Sequence, residues 1–320
     1  MKRYLVTGGC GFIGSYVIRE LLKDQSADIE VVCVDKMGVG SDIQHIPVDD
    51  KRLTLLVADI SKDHFEHGIK EIDYIIHLAA ESHVDRSITN PLAFVDSNVR
   101  GTANVLEVCR ANNARMVHVS TDEVYGHLQL DEKPFTEEHP LKPRSPYSGS
   151  KASSDLLVQS YVTTFGLNAS ITRCCNNYGP RQHNEKLIPT VIRSLTQMQN
   201  IPVYGKGDNI REWIHASDHA KAIIEVLHTD NAEELYNIPG SEEYTNLELI
   251  EKIIEAVISK DRKYYRDNYI EFVKDRAGHD FKYAISTKHN LDAVKNQRSF
   301  SLEDTIEYYI GKYYIQADLA

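Results

Sequence analysis

Short apolar runs recur along the first half of the chain, and amphipathic stretches separate them. The runs are nearly continuous in Val, Ile and Leu, which is typical of parallel strands that are buried on both faces of a sheet. They predict strands at Tyr4–Thr7, Glu30–Asp35, Leu53–Asp59, Tyr74–Ala80, Met116–Thr121 and Ala169–Cys174.

The stretches between these runs carry apolar residues at helical spacing. They predict helices at Ile13–Lys23, Pro91–Asn112 and Pro146–Phe165. Strands that alternate with helices in this way indicate an α/β fold with a doubly wound parallel sheet and right-handed crossovers. Sheets of this kind bind their ligands at the carboxyl ends of the strands.

The pattern changes near residue 175, where the loops lengthen and turn signals such as Asn177-Tyr178-Gly179-Pro180 appear. Further helices are predicted at Ile188–Met198, His219–His228 and Asn246–Ser259. We expect residues 1–175 to form the sheet domain, with an interleaved return near 205–228. Residues 176–320 are expected to form a smaller α/β lobe over the carboxyl edge of the sheet.

Composition narrows the class of protein. The chain has 320 residues, 42% of them hydrophobic, and a net charge of −11, which argues against binding along a nucleic-acid backbone. Its five cysteines include no C-x-x-C pair, so we predict reduced thiols, a cytoplasmic location and no metal site. The sequence has no apolar segment typical of a signal peptide or a membrane span.

A glycine-rich loop joins the first predicted strand to the first predicted helix. Gly8 permits a tight turn, Gly11 lets a pyrophosphate approach the backbone, and Gly14 lets the helix pack against the strand. The helix N-terminus then faces the phosphates with free N–H groups. The alternative is a glycine-rich turn that binds nothing, but the strand–loop–helix context and the acidic Asp35 that ends the second strand favour a dinucleotide site.

The acidic residues at the ends of strands two and three refine this hypothesis. Asp35 can accept hydrogen bonds from ribose hydroxyls and would repel a 2′-phosphate, which favours NAD over NADP, although Lys36 beside it weakens that preference. Asp59, followed by Ile60, has two interpretations of equal weight: a contact to the adenine or a helix N-cap.

Tyr147 and Lys151 are four residues apart on a predicted helix and therefore share one face. A nearby ammonium stabilises a phenolate, so we expect the pKa of Tyr147 to fall below its usual ~10 and the residue to act as a base. The alternative is a pair of exposed residues on an amphipathic helix.

The glycine loop together with Tyr147 and Lys151 resembles the extended short-chain dehydrogenase/reductase family over nearly the whole chain. The resemblance implies a Rossmann sheet with NAD, a Tyr that takes the proton of a sugar hydroxyl while NAD takes the hydride, and Thr121 bonded to the same hydroxyl. It implies cofactor contacts from Gly8, Gly11, Phe12, Ile13, Gly14, Asp35, Lys36, Asp59, Ile60, Ala79, Ala80, Ser82, Tyr147 and Lys151.

Thr121-Asp122-Glu123 resembles the signature of the nucleotide-sugar 4,6-dehydratases within that family, best known in the dTDP-glucose 4,6-dehydratases. The resemblance implies that Glu123 removes the C5 proton after C4 is oxidised and that protonated Asp122 gives a proton to the departing 6-hydroxyl. Adjacent carboxylates shift each other's pKa, which helps one to stay protonated. The alternative makes Asp122 a helix cap and Glu123 a solvated acid in the first turn.

Other segments match the same dehydratases, including Ala79–Ser87, Arg173–Pro180, Glu185–Pro189, Arg211–His215 and Asp275–Asp280. Arg can clamp a phosphate with two parallel hydrogen bonds, and Lys acts as a point charge. The resemblance implies substrate contacts from His83, Arg86, Asn177, Lys186, Leu187, Tyr204, Arg211, Asn246, Arg276 and His279, each of which could instead be a surface charge or a structural contact.

The reaction expected is NAD-dependent dehydration of dTDP-glucose or UDP-glucose to the 4-keto-6-deoxy sugar, the first step towards rhamnose and other deoxysugars. A nucleotide-sugar 4-epimerase, a UDP-glucuronate decarboxylase and a non-catalytic dinucleotide-binding module are the alternatives. Lys36–Asp42 departs from the usual dehydratase sequence, which leaves the contacts to the cofactor ribose and the sugar lid open. Arg181–Asn184 departs as well, near the expected position of the base, so thymine versus uracil stays open. Relatives pair the helices that match Pro91–Asn112 and Pro146–Phe165 into a four-helix bundle, which predicts a homodimer.

Overall fold

The computed structural model describes residues 1–62, 69–230, 232, 234–265, 268–297 and 301–317, with side chains through 312. Its strands are β1 Lys2–Thr7, β2 Ile29–Asp35, β3 Leu53–Val57, β4 Tyr74–His77, β5 Arg115–Thr121, β6 Ala169–Cys174, β7 Asn176–Tyr178, β8 Ile201–Tyr204, β9 Ile210–His215, β10 Leu235–Ile238, β11 Glu242–Thr245 and β12 Ile270–Val273.

The large sheet has the strand order β10-β6-β5-β4-β1-β2-β3, and every pair of neighbours in it is parallel. The predicted doubly wound parallel sheet is confirmed. The order reverses between β1 and β4, and ligands of such sheets bind where neighbouring strands diverge in this way. Sequence reasoning missed β10, whose four residues Leu235–Ile238 are too few for a recognisable apolar run.

The helices are α1 Phe12–Leu21, α2 Val84–Thr89, α3 Pro91–Phe94, α4 Gly101–Asn112, α5 Pro146–Phe165, α6 Leu187–Thr196, α7 Ala216–His228, α8 Asn246–Lys260, α9 Asp292–Lys295 and α10 Leu302–Ala317. A π-helical segment, Val95–Arg100, joins α3 to α4, so the helix predicted over 91–112 is one helical segment with a wider turn in its middle. Short 3₁₀ helices occur at Ile43–His45, Asp122–Tyr125 and Arg262–Tyr264.

Apolar side chains fill both faces of the large sheet. Val17 and Ile18 of α1 pack with Ile223 of α7 on one face, and Val105 of α4 packs with Val158 of α5 on the other. Burial on both faces explains why the strand sequences are apolar at successive positions rather than at alternate ones.

A third apolar cluster lies under α6, α8 and α10, beside two small sheets with the strand orders β11-β9-β7 and β12-β8. It forms the core of the second half of the chain. The division into residues 1–175 and 176–320 stays a prediction; the strand from the second half that enters the large sheet is β10. In the described part of the chain, no helix combines the length and the apolar character needed to cross a membrane.

Candidate active site

A cavity of about 570 Å³ opens at the carboxyl ends of the sheet strands and extends under the second half of the chain. All the site residues predicted from the sequence line it, with two exceptions, Asp59 and Asp122. The residues come from widely separated parts of the sequence, so the parallel sheet and the loops after its strands are what bring them together.

The glycine loop has the geometry that a dinucleotide phosphate needs. Gly8 has a φ of +74°, and a Cβ there would lie 2.7 Å from the backbone nitrogen of Ala79. Gly11 caps α1 without a side-chain hydrogen bond, and the first turn of that helix carries no acidic residue. The free N–H groups and the positive end of the helix dipole therefore face the cavity, which is a site suited to an anion.

Asp35 binds the two loops beside it. Its buried carboxylate accepts hydrogen bonds from the backbone N–H of Cys10 at 3.0 Å, from the N–H of Met37 at 2.9 Å and from the hydroxyl of Ser41 at 2.8 Å. The residue lines the cavity at the end of β2, where a ribose would reach it. Lys36 pairs with Glu81 at 2.6 Å, so an acidic partner offsets its charge.

Asp59 does not take the position expected for an adenine contact. Its carboxylate accepts hydrogen bonds from the backbone N–H and the hydroxyl of Ser61, and the residue is absent from the cavity wall formed by Ala58 and Ile60. The structure thus favours the capping interpretation of Asp59, in which an acidic side chain closes a turn after a strand.

Helix α5 begins with a capping box in which Ser145 and Ser148 bond each other's backbone, and Pro146 occupies its first turn. This start places Tyr147 and Lys151 on the face that lines the cavity. The ammonium of Lys151 donates to the carbonyl oxygen of Val119 at 2.9 Å. Burial lowers the pKa of Lys151 to about 8.

The expectation of a low pKa for Tyr147 is wrong. Burial raises the pKa of Tyr147 well above its ordinary value, and the nearby carboxylate of Glu123 raises it further, whereas a hydrogen bond with Thr121 opposes the rise. Desolvation penalises the charged phenolate, and spacing along a helix does not reveal how deeply a phenol is buried.

Asp122 and Glu123 point in different directions. They open a 3₁₀ helix, in which successive side chains are about 120° apart, and the Thr121 side chain caps it. Glu123 lines the cavity. Asp122 is 1% exposed and lies behind the cavity wall, so of the two acids Glu123 is the one placed to touch the sugar directly.

The Asp122 carboxyl is buried almost without partners. Thr121 donates its hydroxyl to Oδ1 at 3.2 Å, and no hydrogen bond reaches Oδ2 from the described residues. Burial raises the pKa of Asp122 well above its usual range, and the charges of Glu123 and Glu212 raise it further. Burial and these two charges therefore favour the protonated, neutral form of Asp122.

Glu123 has a different environment. Burial raises its pKa, but the cationic Arg276, Arg211 and Lys186 oppose the rise. The pKa values of both carboxyls are thus raised, but cations oppose the rise at Glu123 whereas neighbouring carboxylates add to it at Asp122, so Asp122 is the acid of the pair that more strongly retains its proton. Such a pair can supply one acid and one base.

The predicted phosphate-binding cations all line the cavity but differ in how freely they can bind an anion. Lys186 contacts the carbonyl of Ser82 at 3.1 Å, and Arg276 lies 3.9 Å from Asp85. Arg211 donates three hydrogen bonds to carbonyl oxygens, including one to Asp280 at 2.8 Å, and stacks 4.3 Å from the ring of Tyr283. Part of its predicted clamp is therefore already committed to the protein.

Three comparisons with known proteins bear on this site. The family model described as GDP-mannose 4,6 dehydratase matches residues 5–307. The chain belongs to this family.

Individual members are similar over nearly their full length. The low-salt glycan biosynthesis protein Agl12 of Haloferax volcanii is 43% identical over 314 residues, which span 96% of this chain and 98% of that protein. The dTDP-glucose 4,6-dehydratase of Escherichia coli is 39% identical over 336 residues, with 97% and 91% of the two chains covered.

A solved structure agrees with these matches. The crystal structure of DesIV, a dTDP-glucose 4,6-dehydratase from Streptomyces venezuelae with NAD bound, superposes with a TM-score of 0.87 and 39% identity. The match covers 98% of this chain and 97% of that one. The Rossmann-type sheet predicted from the sequence is therefore the fold of this dehydratase family.

Two further predicted substrate-binding residues, Asn177 and His279, are held by contacts inside the protein. The Asn177 side chain donates to the carbonyl of Cys175 at 3.0 Å and contacts Nδ1 of His219 at 2.9 Å. His279 Nδ1 lies 2.6 Å from Asp275. These contacts orient the side chains of Asn177 and His279 before any substrate arrives, which reduces the entropy lost on binding.

Two acidic residues that sequence reasoning missed connect the walls of the cavity. Glu185 pairs with Arg86 and lies 3.5 Å from Nε2 of His83. Asp85 accepts a hydrogen bond from the hydroxyl of Tyr204 at 3.3 Å. Their positions beside His83, Arg86 and Lys186 in the matched segments were the available signal, since acids near cations in a site usually pair with them.

Proposed function

We propose that the chain dehydrates a nucleoside-diphosphate glucose to its 4-keto-6-deoxy form. The observation that carries the proposal is the pair at the end of β5, where a buried Asp122, whose surroundings favour its protonated form, adjoins a cavity-lining Glu123. Relatives named dTDP-glucose 4,6-dehydratases support the same reaction. The chain is thus a hydro-lyase, and its cofactor is NAD.

The residues of the cavity fit this cofactor. The cradle at Gly8 would be filled by a Cβ, and the α1 N-terminus offers free N–H groups to a pyrophosphate. NAD, when bound, accepts a hydride from C4 of the sugar, returns it to C6, and brings a positive charge into the cavity that Tyr147 lines.

Tyr147, Lys151 and Thr121 serve the oxidation at C4. Tyr147 accepts the proton of the 4-hydroxyl as its phenolate, which the ammonium of Lys151 stabilises from the next turn of α5. Thr121 lines the cavity and hydrogen-bonds with Tyr147, so its hydroxyl can hold the same sugar oxygen. A 4-ketone results and acidifies the hydrogen on C5.

Glu123 and Asp122 then remove water across C5 and C6. Ionised Glu123 takes the C5 proton, the electron pair of that bond forms the C5–C6 double bond, and the 6-hydroxyl departs with a proton that Asp122 delivers through the hydroxyl of Thr121. When hydride reaches C6, protonated Glu123 gives a proton to C5 and regains its charge. Thr121 is the cavity-lining group in hydrogen-bond contact with the Asp122 carboxyl. A 4-epimerase or a UDP-glucuronate decarboxylase has no use for this buried acid.

We propose that thymidine is the preferred nucleoside. Apolar side chains, among them Val191, Val203 and Ile250, line part of the cavity and offer a surface for the thymine methyl group. Burying one methyl is worth about 0.8 kcal/mol, which gives a preference over uracil of about fourfold. The relatives named dTDP-glucose 4,6-dehydratases support the same preference, because dTDP is a thymidine nucleotide.

The deciding experiment supplies NAD and either dTDP-glucose or UDP-glucose in D₂O and follows the sugar by NMR. A 4-keto-6-deoxy product with deuterium at C5 supports the proposal, and the ratio of kcat/KM values tests the base. Inversion at C4 without loss of water would instead favour an epimerase. Loss of a carboxyl carbon from UDP-glucuronate, supplied separately, would favour a decarboxylase.

A matched variant assigns the base within this reaction. Glu123→Gln keeps the size of the side chain but removes the proton acceptor. We expect C4 oxidation, seen as NADH absorbance, to continue while exchange of the C5 hydrogen with solvent stops. Retained C5 exchange would show that another group is the base.

We further propose a homodimer through the two helical segments predicted for it. Leu92 and Val95 in the first segment are 72% and 48% exposed, and Leu156 of α5 is 57% exposed. A partner that covers them would remove apolar area from water. Light scattering should show a dimer for the wild type and a monomer for Leu92→Glu, whereas Val48→Glu, at an exposed position elsewhere, should leave the dimer intact.

A further inference from the structure

A stripe of three polar residues runs along α5 from the cavity into the interior. Tyr147, Lys151 and Asp155 are spaced four residues apart and therefore lie on one face of the helix. Tyr147 and Lys151 line the cavity, whereas Asp155 has no exposed surface and lies beneath them. The proposed reaction uses the first two residues and leaves the third without a role.

His118 of β5 lies between the ammonium of Lys151 and the carboxylate of Asp155. Its Nε2 atom is 3.3 Å from Nζ of Lys151 and 3.4 Å from Oδ1 of Asp155. The same nitrogen is 3.1 Å from the Ser154 hydroxyl. His118 is completely buried, and burial lowers its pKa to about 4, so the ring is neutral and adds no charge of its own.

The two oxygens of Asp155 have different surroundings. Oδ2 accepts a hydrogen bond from Nε of Arg173 at 2.9 Å, and the guanidinium of Arg173 stacks 4.7 Å from the ring of Tyr125. Oδ1 has no hydrogen-bond partner among the described residues and faces His118. One carboxylate therefore adjoins two buried cations, Arg173 on one side and Lys151 on the other.

A buried ammonium needs such a counter-charge, because desolvation favours its neutral form. The groups around Lys151 are Tyr147 and Asp155 on its own helix, His118 on β5, Cys174 on β6 and His77 on β4. His77 and His118 are neutral, and burial keeps the thiol of Cys174 protonated because it raises its pKa to about 12. Asp155 is the one ionised carboxylate among these groups.

We propose that Asp155 is a positioning residue, whose Oδ1 atom shares Nε2 of His118 with the Lys151 ammonium and acts as the counter-charge that keeps Lys151 protonated in the cavity wall beside Tyr147. The inference rests on the proposed function for its catalytic meaning, but not for the ion pairing itself. The competing view is that Asp155 only ties α5 to β6 through Arg173. Both views predict a loss of stability on substitution, so stability alone does not separate them.

The separating measurement is the titration of Lys151 itself, in the full chain and without substrate. Lysine labelled with ¹³C at Cε gives one resonance per residue, and Lys151→Met identifies the one that matters. In Asp155→Asn we expect the pKa of Lys151 to fall by about one unit or more, because the charge of Asp155 raises that pKa and an opposite charge within about 4–6 Å typically shifts a pKa by about 1–3 units. Val158→Ala, at a buried apolar position on the same helix, should weaken the fold but leave that titration unchanged.

The rate of dehydration should report the same shift. For a fall of about one unit from a pKa of about 8, kcat should drop about fivefold at pH 8 and less than about 1.5-fold at pH 6.5. A structural role alone would lower the rate equally at both pH values. Failure of the wild type to dehydrate any nucleotide sugar would refute the proposed function, and the NMR titration would still decide the inference.

A second variant guards against misfolding, since Asp155→Asn leaves Arg173 as an unpaired buried cation. The double substitution Asp155→Leu with Arg173→Met removes both charges, and replacement of a buried ion pair by apolar residues is often neutral for stability. It should lower the pKa of Lys151 as the single variant does. An unchanged Lys151 titration in either folded variant would overturn the proposal.

Discussion

Replacing Asp122 by Asn tests the assignment of the general acid most directly. Asp122 is 1% exposed, its Oδ2 atom has no hydrogen-bond partner among the described residues, and its pKa is raised well above the usual range by burial and by two neighbouring carboxylates. These surroundings therefore favour the neutral side chain before it acts. Asn has nearly the same shape and is neutral as well, so the substitution removes the transferable proton and little else.

The structure sets the size of both effects. The hydrogen bond from Thr121 to Oδ1 can be kept by the Asn carbonyl, so we expect a change in unfolding free energy within about 1 kcal/mol. Loss of a general acid lowers a rate by about 10²–10⁴-fold, which corresponds to about 3–5 kcal/mol of barrier. Asp122→Asn should thus fold with a Tm within about 4 °C of the wild type and dehydrate at least about a hundred times more slowly.

Three readouts on one sample separate the steps. NADH absorbance reports oxidation at C4, deuterium at C5 reports the action of Glu123, and the methyl resonance of the 6-deoxy product reports loss of water. Asp122→Asn should keep the first two and lose the third, whereas Glu123→Gln should keep only the first. Dehydration within tenfold of the wild type in a folded Asp122→Asn protein would refute the reasoning, as would loss of C5 exchange.

Three further predictions follow from the geometry. The rate should fall on the alkaline side near pH 8, where Lys151 loses its proton, and on the acid side at a pH above 4.5, where Glu123 gains one; a pH–rate profile of kcat measures both limbs. Arg276→Met should move the acid limb to higher pH, because Arg276 is the largest charge that favours ionised Glu123, and should raise KM if it holds a phosphate. Gly8→Ala should weaken NADH binding more than tenfold, as measured by fluorescence titration, and should destabilise the fold by about 1–2 kcal/mol, because the φ of +74° is unfavourable for a residue with a Cβ. Gly149→Ala is the control, since a Cβ there meets no atom within 4 Å.

The sequence was sufficient for features that repeat along the chain. The apolar run that became β2 carries Val31, Val32, Cys33 and Val34 at successive positions, which is typical of a strand buried on both faces and not of a half-buried one. The glycine spacing likewise gave the loop before α1, because only glycine permits the close approach of Gly8 to Ala79. The apolar runs and the glycine spacing can each be recognised within a short stretch of sequence.

Features that depend on burial were beyond the sequence. The direction in which Asp122 points follows from the turn after β5, which is a 3₁₀ helix rather than an α-helix. Val124 and Tyr125 of the same turn are buried in the core. The pKa of Tyr147 depends on how far burial removes the phenol from water, and its spacing of four residues from Lys151 gives no information about that burial. Asp59 and its hydroxyl partner Ser61 form a local turn that resembles a ligand contact in sequence alone.

The pKa shifts of Asp122 and Tyr147 have one physical cause. Burial raises the pKa of both Asp122 and Tyr147, because it disfavours the charged form and the neutral form of each residue is the protonated one. For Asp122 that shift suits an acid, whereas for Tyr147 it opposes the role of a base. A cavity dry enough to keep Asp122 protonated therefore needs positive charge near Tyr147, and the protein itself supplies it through Lys151. Because the same dryness also favours loss of the proton from Lys151, a carboxylate deeper in the helix, Asp155, is needed to retain it.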